Sequence, residues 1–262
     1  SMNQRAIYKD GKKNGLQEFF NPDGSVDERG ILLDGKENGL YEWFNPDGSL
    51  NQRSIYKDGE KNGLQEWFNP DGSLSRRGIY KDGQLNGLHE WFNPDGSLSK
   101  RAMYKDDQLN GLHEWFDHPD GSMDERGIFI DGQLNGLYEW FNPDGSLSER
   151  AMYKDDQLNG LQEWFAHPDG SMNQRGTYKD GKLNGLYEWF NPDGSLERAI
   201  YKDGQLNGLY EWFDSSNKLY AEVMYRNDKP EGEKRFFDEN MLITETVFYE
   251  NGKMNGENNF YD

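Results

Sequence analysis

The sequence predicts an all-β protein: an elongated, twisted, single-layer antiparallel meander of about 22 short strands. Three observations predict it. First, the chain keeps a beat. Asn-Gly or its counterpart puts a glycine at Gly15, Gly39, Gly63, Gly87, Gly111, Gly136, Gly160, Gly185, Gly208, Gly232 and Gly256, at intervals of 23 to 25 residues, giving eleven units. An aromatic four residues later keeps time with it: Phe19, Trp43, Trp67, Trp91, Trp115, Trp140, Trp164, Trp189, Trp212, Phe236 and Phe260. Second, each beat carries two turn signals. Third, the composition suits a thin fold. Only 33% of residues are hydrophobic, 15% are aromatic, and 29 Lys+Arg against 48 Asp+Glu leave a net charge of −19. That is too few aliphatics for a compact interior and too many aromatics for a disordered chain.

One unit, Arg77 to Leu98, justifies the elements in order. Gly78 to Tyr80 is an extended run with β-branched and aromatic residues. Asp82-Gly83 follows, a dipeptide favoured in two-residue hairpin loops that need positive φ. Asn86-Gly87 comes soon after as a competing tight-turn signal, and Leu88 to Phe92 is the second extended run. Asn93-Pro94-Asp95-Gly96 closes the unit, proline presetting φ and glycine taking the left-handed position. Proline and glycine recur too often for a helix longer than two turns.

A register follows. With Asp82-Gly83 as the loop, Tyr80 faces Leu85 and Gly78 faces Gly87. With Asn93 to Gly96 as a four-residue loop, Phe92 meets Ser97 and Trp91 meets Leu98. One face then carries Gly78, Tyr80, Leu85, Gly87, His89, Trp91 and Leu98, leaving room for rings over bare backbone. The other carries Arg77, Ile79, Lys81, Asn86, Leu88, Glu90 and Phe92, with Arg77 and Glu90 placed to meet counterparts on neighbouring strands. Neither face is wholly polar, which predicts strong twist. At about 4.8 Å per strand the array is expected to extend roughly 100 Å.

Residues 1–213 make nine near-identical units, and 214–262 make two diverged ones, expected to cap the same array. There Asp214-Ser215-Ser216-Asn217 replaces Asn-Pro-Asp-Gly, and Phe236 and Phe260 replace tryptophan. Ser1 to Arg5 repeats Ser171 to Arg175, so the chain opens in mid-repeat, as expected either of a segment of a longer array or of an appended Ser1-Met2 that happens to match the repeat.

Tyr80, Asp82, Gly83, Asn86, Gly87 and Trp91 spell a pattern that resembles the MORN repeat, and Tyr249, Asn251, Gly252, Asn255, Gly256 and Phe260 repeat it. Tyr178 to Gly185 is similar to the bacterial variant in YwqK-family antitoxins. The resemblance covers essentially the whole chain. It implies a solenoid-like array of about 11 β-hairpins used for protein or lipid contact, and the antitoxin likeness implies neutralising a toxin by direct binding.

No catalytic residue, metal site or cofactor is assigned. There is no cysteine, and the serines of Pro-Asp-Gly-Ser lie in turns with no histidine at a recurrent offset. A linear array gathers few unlike groups into one pocket. His89 and His113 stand two strands apart, about 9–10 Å, too far to share a zinc ion. With His118 and His167 of the variant loops, they read as surface or turn residues. Asn45, Asp47 and Ser49 alternate oxygens as a calcium loop does, but a plain proline-glycine turn explains each of them.

The aromatic ladder, Trp43, Trp67, Trp91, Trp115, Trp140, Trp164, Trp189 and Trp212, reads as structural core. The position two residues before it varies: Gln17, Tyr41, Gln65, His89, His113, Tyr138, Gln162, Tyr187 and Tyr210. It tolerates unlike side chains, which predicts an exposed column and makes it the candidate partner-binding surface.

Lys81 and its equivalents are followed by Asp, so no basic stripe forms for nucleic acid. A chain of −19 is repelled by anionic membranes, and no stretch has the length of a spanning helix or the form of a signal peptide. An acidic surface fits a basic protein partner such as a nuclease-type toxin, and it fits solubility equally well. The expectation is a non-enzymatic protein-binding module, first an antitoxin or immunity protein. A structural spacer or cell-surface scaffold is the alternative, with glycan binding on the Trp/Tyr face a third. An antitoxin would be cytoplasmic, and a chain whose signal had been removed would be periplasmic or at the surface. Oligomeric state stays open.

Overall fold

A computed structural model describes residues 2–167 and 169–261. Ser1 of the opening string, Pro168 of the Ala-His-Pro-Asp loop and the terminal Asp262 lie outside the described residues. The chain divides into two compact units, Ser1–Gln133 and Leu134–Asp262.

The first holds β1 (Gln4–Lys9), β2 (Lys12–Phe20), β3 (Val26–Leu33), β4 (Lys36–Phe44), β5 (Leu50–Lys57), β6 (Glu60–Phe68), β7 (Leu74–Lys81), β8 (Gln84–Phe92), β9 (Leu98–Lys105), β10 (Gln108–Trp115) and β11 (Glu125–Ile130). The second holds β12 (Gln133–Phe141), β13 (Leu147–Lys154), β14 (Gln157–Trp164), β15 (Gln174–Lys179), β16 (Lys182–Phe190), β17 (Leu196–Lys202), β18 (Gln205–Phe213), β19 (Leu219–Arg226), β20 (Lys229–Phe237), β21 (Ile243–Glu250) and β22 (Lys253–Phe260). No helix occurs among the described residues. Within each unit every strand pairs antiparallel with the next, so each unit is a single-layer all-β meander.

The Asp-Gly loop is where the sequence places it. Asp82 and Gly83 have φ of 49° and 82°, the two positive values of a hairpin turn whose twist matches its strands. Lys81 pairs with Gln84 and Tyr80 with Leu85. Some turns put aspartate in the glycine position, as at Asp107 with φ of 65°. Its carboxylate is used there: Leu85 of the preceding unit donates its amide to Asp107 Oδ1 at 2.7 Å, and Leu134 does the same to Asp156 at 2.7 Å.

Beyond Tyr80 the register departs from expectation. Gly78 faces His89, not Gly87, because Asn86, Gly87 and Leu88 oppose Ile79 alone. The bulge is built on Gly87, whose φ of 129° only glycine adopts readily. It adds two residues to one strand, so the alternation of faces survives. Asn86 is likewise not a turn residue: its Nδ2 donates to Asp106 Oδ1 at 2.9 Å in the next unit's turn. Asn62 reaches Asp82 in the same way at 3.0 Å, and Asn135 reaches Asp155 at 3.1 Å. The recurrent Asn-Gly dipeptide therefore combines a bulge with a tie between units.

The second loop is also one residue longer than expected. Asn93 donates its amide to the Ser97 carbonyl at 2.8 Å, and Gly96 to the Asn93 carbonyl at 2.9 Å. Phe92 consequently pairs with Leu98, and after an irregularity at Ser99 the residue opposite Trp91 is Lys100, not Leu98. The diverged residues beyond 213 keep the hairpin geometry. Their β22 is exposed along its whole length.

Candidate interaction surfaces

The register sorts side chains into rows that run across the strands. On one face Gln52, Trp67, Arg76, Trp91, Lys100, Trp115 and Glu125 pair successively. Beside it runs Ser54, Gln65, Gly78, His89, Ala102, His113 and Gly127. This second row is the varying column, alternating with small residues.

The column is buried, which corrects the expectation of an exposed surface. Gln65 is 0% exposed, His113 2% and Gln17 4%, with Tyr41, His89, Tyr138, Gln162 and Tyr187 also buried and only Tyr210 half-buried. The reason is local packing. A small residue on each neighbouring strand leaves a trough, and the column side chain fills it under the flanking rings. Tyr41 lies 4.8 Å from Trp43 and 6.1 Å from Tyr56 between ring centroids. His89 stacks on Trp91 at 4.0 Å and 9°. The tryptophans of the ladder are themselves half-buried, forming the walls of the trough and not its floor.

The column varies because its neighbours vary with it. Tyr41 and Tyr187 lie over Gly30 and Gly176, while Gln162 faces Ala151 and Gln65 faces Ser54. Polar ends are matched too. Tyr41 donates to Glu28 at 3.2 Å, Tyr187 to Gln174 at 2.7 Å, Tyr210 to Glu197, and Gln162 to Glu149. Burial raises the phenols, Tyr187 to about 12.

His89 and His113 are therefore core residues and not surface ones. Neither ring nitrogen of either has a hydrogen-bond partner among the described residues. Burial pushes both down to about 4, with help from the cations of Arg76 and Lys100 beside His89 and of Lys100 beside His113. His118 and His167 do sit in loops, where His118 Nε2 is 3.5 Å from Asp124 and His167 Nε2 is 2.7 Å from the Phe190 carbonyl.

In the Asn-Pro-Asp-Gly-Ser loops the oxygens are turned on one another. Ser49 gives its amide at 2.9 Å and its hydroxyl at 2.6 Å to Asp47 Oδ1, and Asn45 Nδ2 donates to Ser49 Oγ at 2.9 Å. The Ser49 hydroxyl and amide hold the Asp47 carboxyl below its ordinary range. Among the described residues, no group of three His, Cys, Asp or Glu is placed to hold a metal ion.

The opposite face carries two rows that the sequence placed only in outline. In one, Arg5, Glu18, Arg29, Glu42, Arg53, Glu66, Arg77, Glu90, Arg101 and Glu114 alternate across β1 to β10. Arg29 bonds Glu42 at 2.6 Å, Arg77 bonds Glu90 at 2.5 Å, and Arg53 and Arg101 bond Glu66 and Glu114. The guanidinium of Arg77 also lies over the Phe92 ring at 5.7 Å. In the second unit this order breaks: Glu211 pairs with Glu222, which turns to Arg235 at 3.4 Å.

The other row is aliphatic and open. Leu16 pairs with Ile31, Leu40 with Ile55, Leu64 with Ile79, Leu88 with Met103 and Leu112 with Ile128. Ile31 is 47% exposed, Leu40 44%, Ile55 40% and Ile79 43%. Hollows recur along it: Leu40, Ile55 and Leu64 with Arg53 and Glu66 line one, and Leu64, Ile79 and Leu88 with Arg77 and Glu90 line the next. The sequence put these residues on a shared face, but burial could not be read without the trough opposite.

No curated protein matches the sequence. Among solved structures the chain is similar to a S. aureus TarM mutant in complex with fondaparinux, α-GlcNAc-glycerol and UDP, at 16% identity and a TM-score of 0.26, covering 37% of this chain and 19% of that one. A second TarM crystal structure gives 16% identity and a TM-score of 0.25, over 37% and 20%. The chain thus spans about a fifth of the length of these proteins, a likeness too partial to carry an argument. The repeat itself is matched directly. Residues 37–58, 61–82, 85–106, 134–155, 206–227 and 241–261 fit the MORN repeat variant, together half of the sequence, and the chain belongs to that family.

Proposed function

We propose that this protein is a non-enzymatic binding module that engages a partner protein through the open aliphatic row. The observation that carries the reading is the run from Leu16 to Ile128, half-exposed on strand after strand and bordered by the neutralised Arg–Glu row. Contiguous apolar surface of that kind on a water-exposed sheet marks interaction sites. A neutral border lets such a face be covered without stranding charge. The −19 charge elsewhere favours a basic partner by steering its approach. The specific form of the proposal is an antitoxin-type role, in which a basic toxin is blocked by surface contact. The likeness of Tyr178 to Gly185 to YwqK-family repeats supports it.

The test is co-expression with the protein encoded beside it. A 1:1 complex and rescue from toxicity are expected for the wild type. Both should be lost when Ile55→Glu and Ile79→Glu are combined, while the circular dichroism spectrum stays unchanged. Rescue by the doubly substituted chain would refute the assignment of this face, whereas no complex and no rescue with the wild type would refute the antitoxin role and leave a spacer role as the reading.

A further inference from the structure

The row of tryptophans changes character in one place. Its alternating residues are Glu28 and Gln52, then Arg76 and Lys100, then Glu125. In the second unit the same positions hold Glu149, Gln174 and Glu197. Arg76 lies over Trp67 at 4.3 Å, and Lys100 over Trp91 at 4.8 Å and Trp115 at 5.8 Å, so cations stand between successive rings. Lys61 adds a third charge, over Trp67 at 5.6 Å and Tyr80 at 5.3 Å.

These cations are unpaired. Arg5, Arg29, Arg53, Arg77 and Arg101 of the same unit each bond a glutamate on the other face. Arg76, Lys100 and Lys61 face no carboxylate partner among the described residues. Arg76 is exposed. Three like charges on one patch repel, and in a chain of −19 the cluster is a local cost; elsewhere the row holds Glu, Gln or, at Ala221, a small residue, with Lys234 alone over Trp212.

The spacing selects the anion. Arg76 and Lys100 sit in one row with Trp91 directly between them, two strands or about 9–10 Å apart. A polyproline II segment repeats every three residues at about 3.1 Å each, which puts side chains three apart on one edge at about 9.3 Å. Such segments dock on aromatic-lined grooves without needing a sheet edge. Here the strands around the patch are all paired. We propose that the Trp67–Trp115 patch binds an acidic segment of a protein in polyproline II conformation, with carboxylates three residues apart on Arg76 and Lys100. This site lies on the face opposite the aliphatic row and goes beyond the function proposed above.

The test uses the full chain and a fluorescein-labelled peptide of five Glu-Pro-Pro repeats, read by anisotropy and by tryptophan emission. Saturable binding that weakens as salt rises is expected. Arg76→Gln with Lys100→Gln, residues that Gln52 and Gln174 show the row accepts, should weaken it about tenfold, as two partly exposed ion pairs would. Ile55→Glu with Ile79→Glu should leave it unchanged, which separates this site from the other face. No binding, equal binding by the double Gln variant, or equal binding of a peptide with glutamates four apart would overturn the proposal. Tighter binding of a uronate polysaccharide than of the peptide would overturn the choice of a protein segment.

Discussion

Gly30→Ala tests the buried trough most sharply, because the structure sets its cost against two internal controls. A Cβ at Gly30 would stand 1.9 Å from Cδ2 and 2.5 Å from Cγ of Tyr41. At Gly176 the closest approach to Tyr187 is 2.5 Å, and at Gly78 it is 3.2 Å to the His89 ring. None of the three glycines has positive φ, so alanine stiffens the unfolded chain and contributes about 0.4–1 kcal/mol of stability at each. Against this, forcing extra volume into a packed site costs about 1–3 kcal/mol. The net expectation is a loss of about 1–2 kcal/mol at Gly30, about 1 kcal/mol at Gly176, and nearly none at Gly78, where Ala102 beneath His113 shows the pair is tolerated. Tyr210 over Ala199 shows where a displaced ring goes: it is half-buried, not buried. Repeat units can melt semi-independently, so the assay is hydrogen exchange of the amides around each substitution, β3 and β4, β7 and β8, and β15 and β16, through a urea titration. Adding Tyr41→Gln to Gly30→Ala recreates the Ala151–Gln162 pair and should recover most of the loss. Equal stability of the three alanine variants, or no recovery in the double variant, would refute the trough.

Four further outcomes follow from the same geometry. His89 and His113 sit near pKa 4 when folded against an ordinary 6.5, so the unfolded chain takes up protons first. Stability is full above about pH 6.5 and falls towards pH 4, by about 3 kcal/mol for each histidine. Arg76, Lys100 and Glu90 are the charges acting on these rings, and His89→Gln with His113→Gln should flatten the dependence in exchange rates of β7 to β10. Gly87→Ala should cost about 1–3 kcal/mol through its strained bulge, read by the same exchange. Gly83→Asp should be nearly neutral, since Asp107 and Asp156 already occupy that position with an amide donor on the carboxylate. Glu188, 1% exposed, bonds Arg175 and also Arg198 at 2.9 Å. Glu188→Gln should cost about 1.5–3 kcal/mol in urea unfolding, less the share lost to solvent screening at the exposed arginines.

Much of this was legible in the sequence. Asp82-Gly83 has one dominant hairpin use, and the beat of Asn-Gly and Trp fixes the strand count without any knowledge of packing. Apart from Leu98, which pairs with Phe92, the faces also came out right, because a bulge of two residues preserves alternation. What failed were the pairings past Tyr80 and Phe92, where a bulge at Gly87 and a longer loop at Ser97 depend on backbone hydrogen bonds that composition does not reveal. The column failed for a different reason. Unlike residues at Gln65, His89 and Tyr187 look like surface drift in a single string. In space each is matched by a small residue on the neighbouring strands and, for Tyr187, by Gln174 at its polar end. The aliphatic row was placed on its face but not recognised as the open one, since exposure had been assigned to the column opposite.

Hydroxyl-radical footprinting of the free chain and of its complex tests the central assignment of inside and outside most directly. Leu40, Ile55, Leu64 and Ile79 should be labelled in the free protein and protected in the complex, with Gln65, His89 and His113 unlabelled in both. Labelling of the histidine column in the free chain at the rate of the exposed Tyr8, or unchanged labelling of the isoleucines on binding, would contradict it.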